Sequence, residues 1–336
     1  MSPPSSIETP DRRLPLIAAL LLALIAGVPA CERKGGARVL TLGHGLGPDR
    51  AVSKAMDHLA VEVGRLSRGS LKVEVYPGEQ LGSERELLEL VQLGILSMTK
   101  ASAAPLEGFV PKMKVLGLPY LFRDDDHMWT VFNGPLGREI LDAGRPAGLL
   151  GLCFYDAGAR SFYTTGKVVK SPKDLAGLKI RVQKSEMAMR MVRCLGGSPT
   201  PIDWGELYSA LQQGVVDGAE NNAPSYTINQ HYRICGSLSL DEHLRQPDVL
   251  VMNPEVYDGL SAAHQTILRK AVASSVELQR KLWREKCEQS LAVIKKAGVT
   301  ITRPDKAPFR EAVKPLWDDF KGTEVGDLAA RIQEVK

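Results

Sequence analysis

PIDWGELYSALQQGVVDGAENN, residues 201–222, is the stretch on which the reading of this chain turns. Asp203 is placed to cap a helix, and Glu206 follows it by three positions, the spacing of a capping box. Leu207, Leu211 and Val215 supply apolar residues on a helical period, so a helix anchored on a core is expected. Gly214 stops it and Asp217-Gly218 reads as a turn, after which Glu220, Asn221 and Asn222 crowd hydrogen-bonding groups into one short exit. Read alone, that exit fits a polar surface loop as well as a binding wall.

The flanking chain narrows the choice. Its 336 residues, 44% hydrophobic and 24% charged, have the composition of a globular protein with one large or two medium domains. The formal charge of +4 is evenly spread, and no basic cluster interleaves with aromatics, so nucleic-acid binding is set aside. Residues 1–30 carry Arg12-Arg13 and then LPLIAALLLALIAGVPA before Cys31, which reads as an export signal. The apolar run contains Pro15 and Pro29 and falls short of the roughly 20 residues that a membrane span needs. Val28 to Cys31 also fits a lipoprotein box, so ordinary cleavage and lipid anchoring through Cys31 both stay open. Cys153, Cys194, Cys235 and Cys287 lack CxxC spacing, which argues against a metal cluster; a Cys194–Cys235 bridge and free thiols are both compatible.

Residues 39–44 read as a strand, followed by helical spacing at Val52, Ala55, Met56, Leu59, Val63 and Leu66. Leu71, Val73 and Val75 alternate with polar residues as a half-buried strand, and Ser83 with Glu86 forms a capping box for the next helix. This βαβα order predicts a parallel-sheet α/β domain, and a second α/β run begins near Asp156. Residues 261–297 are almost continuously helical, and their heptads are too irregular for a coiled coil, so the expected role is a brace between two lobes.

Catalytic motifs are missing where they were sought. Gly43-His44-Gly45-Leu46-Gly47-Pro48 brings its third glycine one residue early for a dinucleotide loop, the six histidines form no HExxH, and no GxSxG or Walker loop occurs. Asp124-Asp125-Asp126-His127 reads as a solvated helix cap rather than a cation site. No cofactor and no metal are expected. What converges instead is polar. In LKIRVQ the period-two rule sends Ile180 and Val182 to one face and Arg181 and Gln183 to the other, while Arg160 starts its own strand. An arginine fork matches a carboxylate with two charge-assisted hydrogen bonds. Asn221 can donate to and accept from a hydroxyl, and Trp204, Phe162 or Tyr155 can offer a flat face to a sugar or simply pack in the core.

With these residues in place the chain resembles the solute-binding proteins of TRAP transporters, the DctP-like periplasmic receptors. The resemblance runs through LTLGH, VEVYPGEQLGSERELLELVQLG, LGLPYLFRDDDH, GARSFY, DLAGLKIRV, GGSPTPIDWGELYSALQQGVVDGAENN and RKLWRE. It implies an α/β flytrap with a long bridging helix, lobe I spanning 38–157 plus 247–286 and lobe II 158–246 plus 287–336. It also implies that Arg181 pairs with a ligand carboxylate, that Arg160 assists and that Asn221 bonds the ligand. His44, Glu84, Ser185, Trp204 and His243 complete the implied site, with Gln183 beside them. The family's commonest segment reads QENP where this chain has Ala219-Glu220-Asn221-Asn222, and with the following SLDEH segment this looks like the uronate and sugar-acid subgroup. The expectation is therefore a monomeric, non-enzymatic periplasmic receptor that hands a hexuronate to TRAP membrane subunits. A C4-dicarboxylate receptor is the alternative, followed by a periplasmic sugar-acid enzyme and a structural lipoprotein.

Overall fold

The computed structural model describes residues 36–336, so the export segment and Cys31 lie outside the described residues. Strand β1 (Arg38–His44) leads through helix α1 (Ala51–Leu66), β2 (Leu71–Tyr76), α2 (Glu84–Gln92), β3 (Met98–Ser102), α3 (Ala103–Leu106), α4 (Asp125–Asn133) and α5 (Pro135–Asp142) to β4 (Leu150–Tyr155). A second run contains β5 (Ala159–Thr164), β6 (Lys179–Val182), α6 (Glu186–Cys194), β7 (Ser198–Pro201), α7 (Leu207–Gln212), β8 (Gly218–Asn221), α8 (Ala223–Ile228) and β9 (Ser237–Arg245). Then come β10 (Asp248–Met252), α9 (Pro254–Asp258), α10 (Ala262–Lys296), β11 (Thr300–Thr302), α11 (Ala307–Ala312), α12 (Lys314–Asp318) and α13 (Glu324–Glu334).

The strands form two sheets, ordered β2-β1-β3-β10-β4 and β11-β9-β5-β8-β6-β7. Both are mixed, which corrects the expected parallel sheet: β10 runs antiparallel to β3 and β4, and β5 antiparallel to β8 and β9. The reason is connectivity. Between β4 and β5, and again between β9 and β10, the chain steps from one sheet to the other without the helical crossover that keeps neighbours parallel.

One apolar cluster joins α1 to the near end of α10 through Val52, Met56, Leu59, Leu268 and Ala271, covering one face of the first sheet. Another sits against β5 and β8 and holds Tyr163, Leu207, Leu211, Leu238 and Ile294. Leu207 and Leu211 are at most 2% exposed, so each contributes about 1.5–3 kcal/mol of burial. The third cluster is shared, running from Leu87 and Val91 of α2 through Leu116 and Leu118 to Ile180, Met187 and the C-terminal Leu316 and Leu328. Residues 111–127 therefore pack against α6 and the last helices, as Trp317 Nε1 donating to the Pro119 carbonyl at 3.0 Å also shows.

Helix α10 is 35 residues long, about 52 Å, and Ser261 caps it by accepting from the His264 amide at 3.2 Å. It touches both halves. Gln279 clasps the backbone of Asp156, accepting from its N–H at 2.9 Å and donating to its carbonyl at 2.7 Å, and Ser290 meets Thr227 at 2.9 Å. The helix is the expected brace. Among the described residues no helix is long and apolar enough to cross a membrane, and Cys153, Cys194, Cys235 and Cys287 are free thiols, without the Cys194–Cys235 bridge.

Candidate functional site

The opening stretch folds differently from its local signals. Asp203 does cap the short 3₁₀ turn Trp204–Glu206 by position, but its carboxylate accepts no amide there and instead pairs with Lys184 Nζ at 2.6 Å. Gly218–Asn221 is no turn or loop: it is strand β8, buried along its whole length between β5 and β6. Gly218 is required by that fit, since a Cβ there would lie 2.3 Å from the Tyr163 carbonyl oxygen. Burial then forces each polar side chain of Glu220, Asn221 and Asn222 to find a partner.

Glu220 faces Arg160, which donates to both carboxylate oxygens, through Nε to Oε2 and through Nη2 to Oε1 at 2.8 Å. The same Nη2 reaches the Glu220 carbonyl at 2.8 Å, and Nη1 donates to Asn221 Oδ1 at 3.2 Å. Behind Glu220 stands His243, whose Nδ1–H donates to Asp241 at 2.7 Å while Nε2 lies 3.5 Å from Glu220, a charge contact rather than an aligned hydrogen bond. Burial opposes charge on both groups, but Arg160 and His243 hold the Glu220 carboxyl at about 2, and Asp241 with Glu220 lifts His243 to about 9. Arg160 is thus largely consumed by its own protein.

Arg181 is not. It is 2% exposed, its Nε–H donates to the Ile202 carbonyl at 2.8 Å, and its buried Nη1 has no partner. Burial lowers its pKa, with Arg160 adding to the effect. Trp204 lies 5.7 Å from the Arg181 guanidinium, within cation–π range.

Arg160, Arg181, Trp204 and Asn221 line a cavity of about 90 Å³ between the two sheets. Arg160, Arg181, Gln183, Trp204 and Asn221 come from the second sheet's side and Glu84 from the first. Three anticipated residues stand elsewhere. Ser185 caps α6 and donates to Glu107 at 2.8 Å. His44 is 1% exposed, accepts the Leu46 amide at Nδ1 and is pushed down to about 4, chiefly by burial and by Lys100. His243 is fully buried behind Glu220. All three lie outside the lining because their backbone positions serve a strand end, a helix cap and an ion network. Phe162 and Tyr155, fully buried, belong to the core, so of the three anticipated aromatics Trp204 is the one that reaches the cavity.

Apart from Glu84, sequence reasoning missed the opposite wall. Lys100 on β3 is 1% exposed and pairs with Glu84 at 3.0 Å and Asp248 at 3.1 Å. Burial would lower its pKa, but Asp248 and Glu84 together raise it. Ser102 Oγ donates to Asp248 at 3.0 Å, and Asp156 also lines the cavity. This wall carries two carboxylates around one ammonium, with Asp156 a third acid in the lining; the facing wall carries the guanidiniums of Arg160 and Arg181. Arg50, before α1, and Trp283 of α10 were missed as well. A lone lysine among small residues in MTKAS was the available signal for Lys100.

The Asn222 side chain has a structural duty: Oδ1 accepts from the Ser225 amide at 2.7 Å, capping α8, and Nδ2 donates to the Ala157 carbonyl at 3.0 Å.

Comparison with known proteins agrees with this geometry. Residues 42–323 match the model of "Bacterial extracellular solute-binding protein, family 7", the DctP family. A TRAP periplasmic solute-binding protein from a Bradyrhizobium species, crystallised with galacturonate, superposes with a TM-score of 0.86 at 42% identity, covering 88% of this chain and 100% of that one. One from Xanthobacter autotrophicus Py2 with bound β-D-galacturonate gives 0.86 at 39%, with coverage of 88% and 100%. Among curated proteins, the uncharacterised YiiZ of Salmonella typhimurium is 37% identical over 85% of this chain and 88% of its own length. The C4-dicarboxylate-binding periplasmic protein DctP of Rhodobacter capsulatus is 30% identical over 91% and 92%. The chain therefore belongs to the DctP family of bacterial extracellular solute-binding proteins, the periplasmic receptors of TRAP transporters.

Proposed function

We propose that this receptor closes on a hexuronate such as galacturonate or glucuronate and delivers it to the membrane subunits of its transporter. The observation that carries the reading is the buried, unpartnered Nη1 of Arg181 beside the cavity. A carboxylate there gains a charge-assisted bidentate pair and relieves an uncompensated buried cation. Asn221 Oδ1 is already occupied by Arg160 and the Asn222 amide, so its Nδ2 is the group left for a ligand oxygen. Trp204 offers a face to the C–H side of a ring.

The far wall supports a sugar acid over a dicarboxylate. Glu84, Asp248 and Asp156 are acceptors for hydroxyls, whereas a second ligand carboxylate would meet like charge there. The relatives named above that were crystallised with galacturonate support the same choice. Lobe I comprises 38–157 plus 247–286 and lobe II 158–246 plus 287–336, with the protein acting as a periplasmic monomer exported by residues 1–30, with or without a lipid on Cys31. It binds without turnover.

A thermal-shift panel of uronates, aldonates, keto acids and C4-dicarboxylates tests the reading. Galacturonate or glucuronate is expected to raise Tm most and to be recovered unchanged after long incubation. Succinate or malate outcompeting both would replace the hexuronate assignment with a dicarboxylate one.

A further inference from the structure

Arg50 does something its sequence position does not announce. It precedes α1 as the N-cap residue, yet its side chain gives no cap hydrogen bond. Instead the guanidinium reaches from the first sheet's side to α8 on the second. There Nη2 donates to Asn229 Oδ1 and Nη1 lies 3.4 Å from Ser225 Oγ, while the Trp204 ring stands 5.6 Å away. The residue is 7% exposed, and among the described residues it has no salt-bridge partner.

Arg50, Trp204 and Ile228 share a second property. They line the inner cavity and also a groove on the outer surface, whose remaining wall includes Asp49, Tyr208, Asn229 and Gln230. These three side chains stand between the chamber and the groove. Of the three, Arg50 alone spans both halves and is held by directional bonds.

We propose that Arg50 is the latch of the closed receptor: it swings from α1 onto Asn229 and Ser225 as the halves meet, plugs the side opening against Trp204, and must unlatch before ligand leaves. This rests on the receptor reading above. The chemistry also ties latching to the ligand's charge. Arg50 and Arg181 lie at similar distances from the Trp204 ring, and His231 close by is pushed down to about 4 by burial and by both guanidiniums. Bringing Arg50 onto that wall concentrates positive charge, and an anion at Arg181 offsets the repulsion while a neutral sugar does not.

The test uses stopped-flow tryptophan fluorescence with D-galacturonate as the probe, since Trp204 and Trp283 both face the chamber. Asn229→Ala removes the acceptor without touching the inner lining, and Arg50→Gln removes the charge. Each is expected to raise koff by on the order of tenfold or more, the loss of one hydrogen bond to a charged group, with kon within about twofold. The double variant is expected to match Arg50→Gln alone, because the two residues act through one bond. Unchanged koff in both single variants, a loss confined to kon, or fully additive effects would overturn the latch. Arg181→Ala separates the two failures: if wild type binds and Arg181→Ala does not, while the latch variants release at the wild-type rate, the receptor reading stands and the latch falls. If the wild type binds neither galacturonate nor any acid of the panel, both are withdrawn.

Discussion

Glu220→Gln exposes how the site is supported. The carboxylate of Glu220 accepts two hydrogen bonds from Arg160 and sits 3.5 Å from Nε2 of His243, with all three side chains at most 7% exposed. The substitution keeps the shape and removes the charge, leaving Arg160 and His243 as buried cations with less compensation. Removing one partner of a buried ion pair costs about 3–5 kcal/mol. With unfolding entropy near 2.1 cal/mol/K per residue, a chain of 336 residues loses about 4–7 °C in Tm. Differential scanning calorimetry across pH gives the sign. Glu220 has a folded pKa of about 2 against an ordinary 4.5, so its contribution is present above 4.5 and is lost as pH falls from there towards 2. Wild type should shed stability over that acid window, and Glu220→Gln should start lower and decline less. A neutral-pH Tm within 1 °C of wild type, or an unaltered acid profile, would refute the reasoning.

Other outcomes follow from the same geometry. His243 is raised from 6.5 to about 9, so its contribution is complete below 6.5 and lost as pH climbs through 9; His243→Gln should flatten the alkaline limb of a Tm-versus-pH series. Gly218→Val should impair folding, measured as soluble yield and Tm, because the added atoms collide with the Tyr163 carbonyl in the β5–β8 pair. Asn222→Ala should cost about 1 kcal/mol in urea unfolding through loss of the α8 cap, with binding less affected than stability.

Much of the frame was readable locally. The alternation of Leu71, Val73 and Val75, the Ser83–Glu86 capping box and the α1 and α10 periods each obey a rule that acts within a few residues. The face of β6 that presents Arg181 followed from strand alternation. Strand β8 did not, because Gly-Ala-Glu-Asn has the composition of a turn and becomes a strand only where β5 and β6 flank it and Arg160 satisfies Glu220. Lys100 was hidden for a related reason: it is burial-tolerant only beside Glu84 and Asp248, the latter far along the chain. His243 and Ser185 were expected at the ligand, yet they serve an ion network and a helix cap, roles set by partners far along the chain or by backbone position. Arg50 carries no local sign at all, since its partners lie on α8 and at its C-terminal end.

Isothermal titration of Arg181→Ala with D-galacturonate, alongside wild type, bears most directly on the proposed carboxylate anchor. Loss of the bidentate pair should weaken binding by at least about 3 kcal/mol, more than 100-fold. The ligand-free Tm should hold or rise, because the replaced guanidinium is a buried cation whose Nη1 has no partner. Wild-type affinity in a folded Arg181→Ala protein would contradict the assignment of the carboxylate to Arg181.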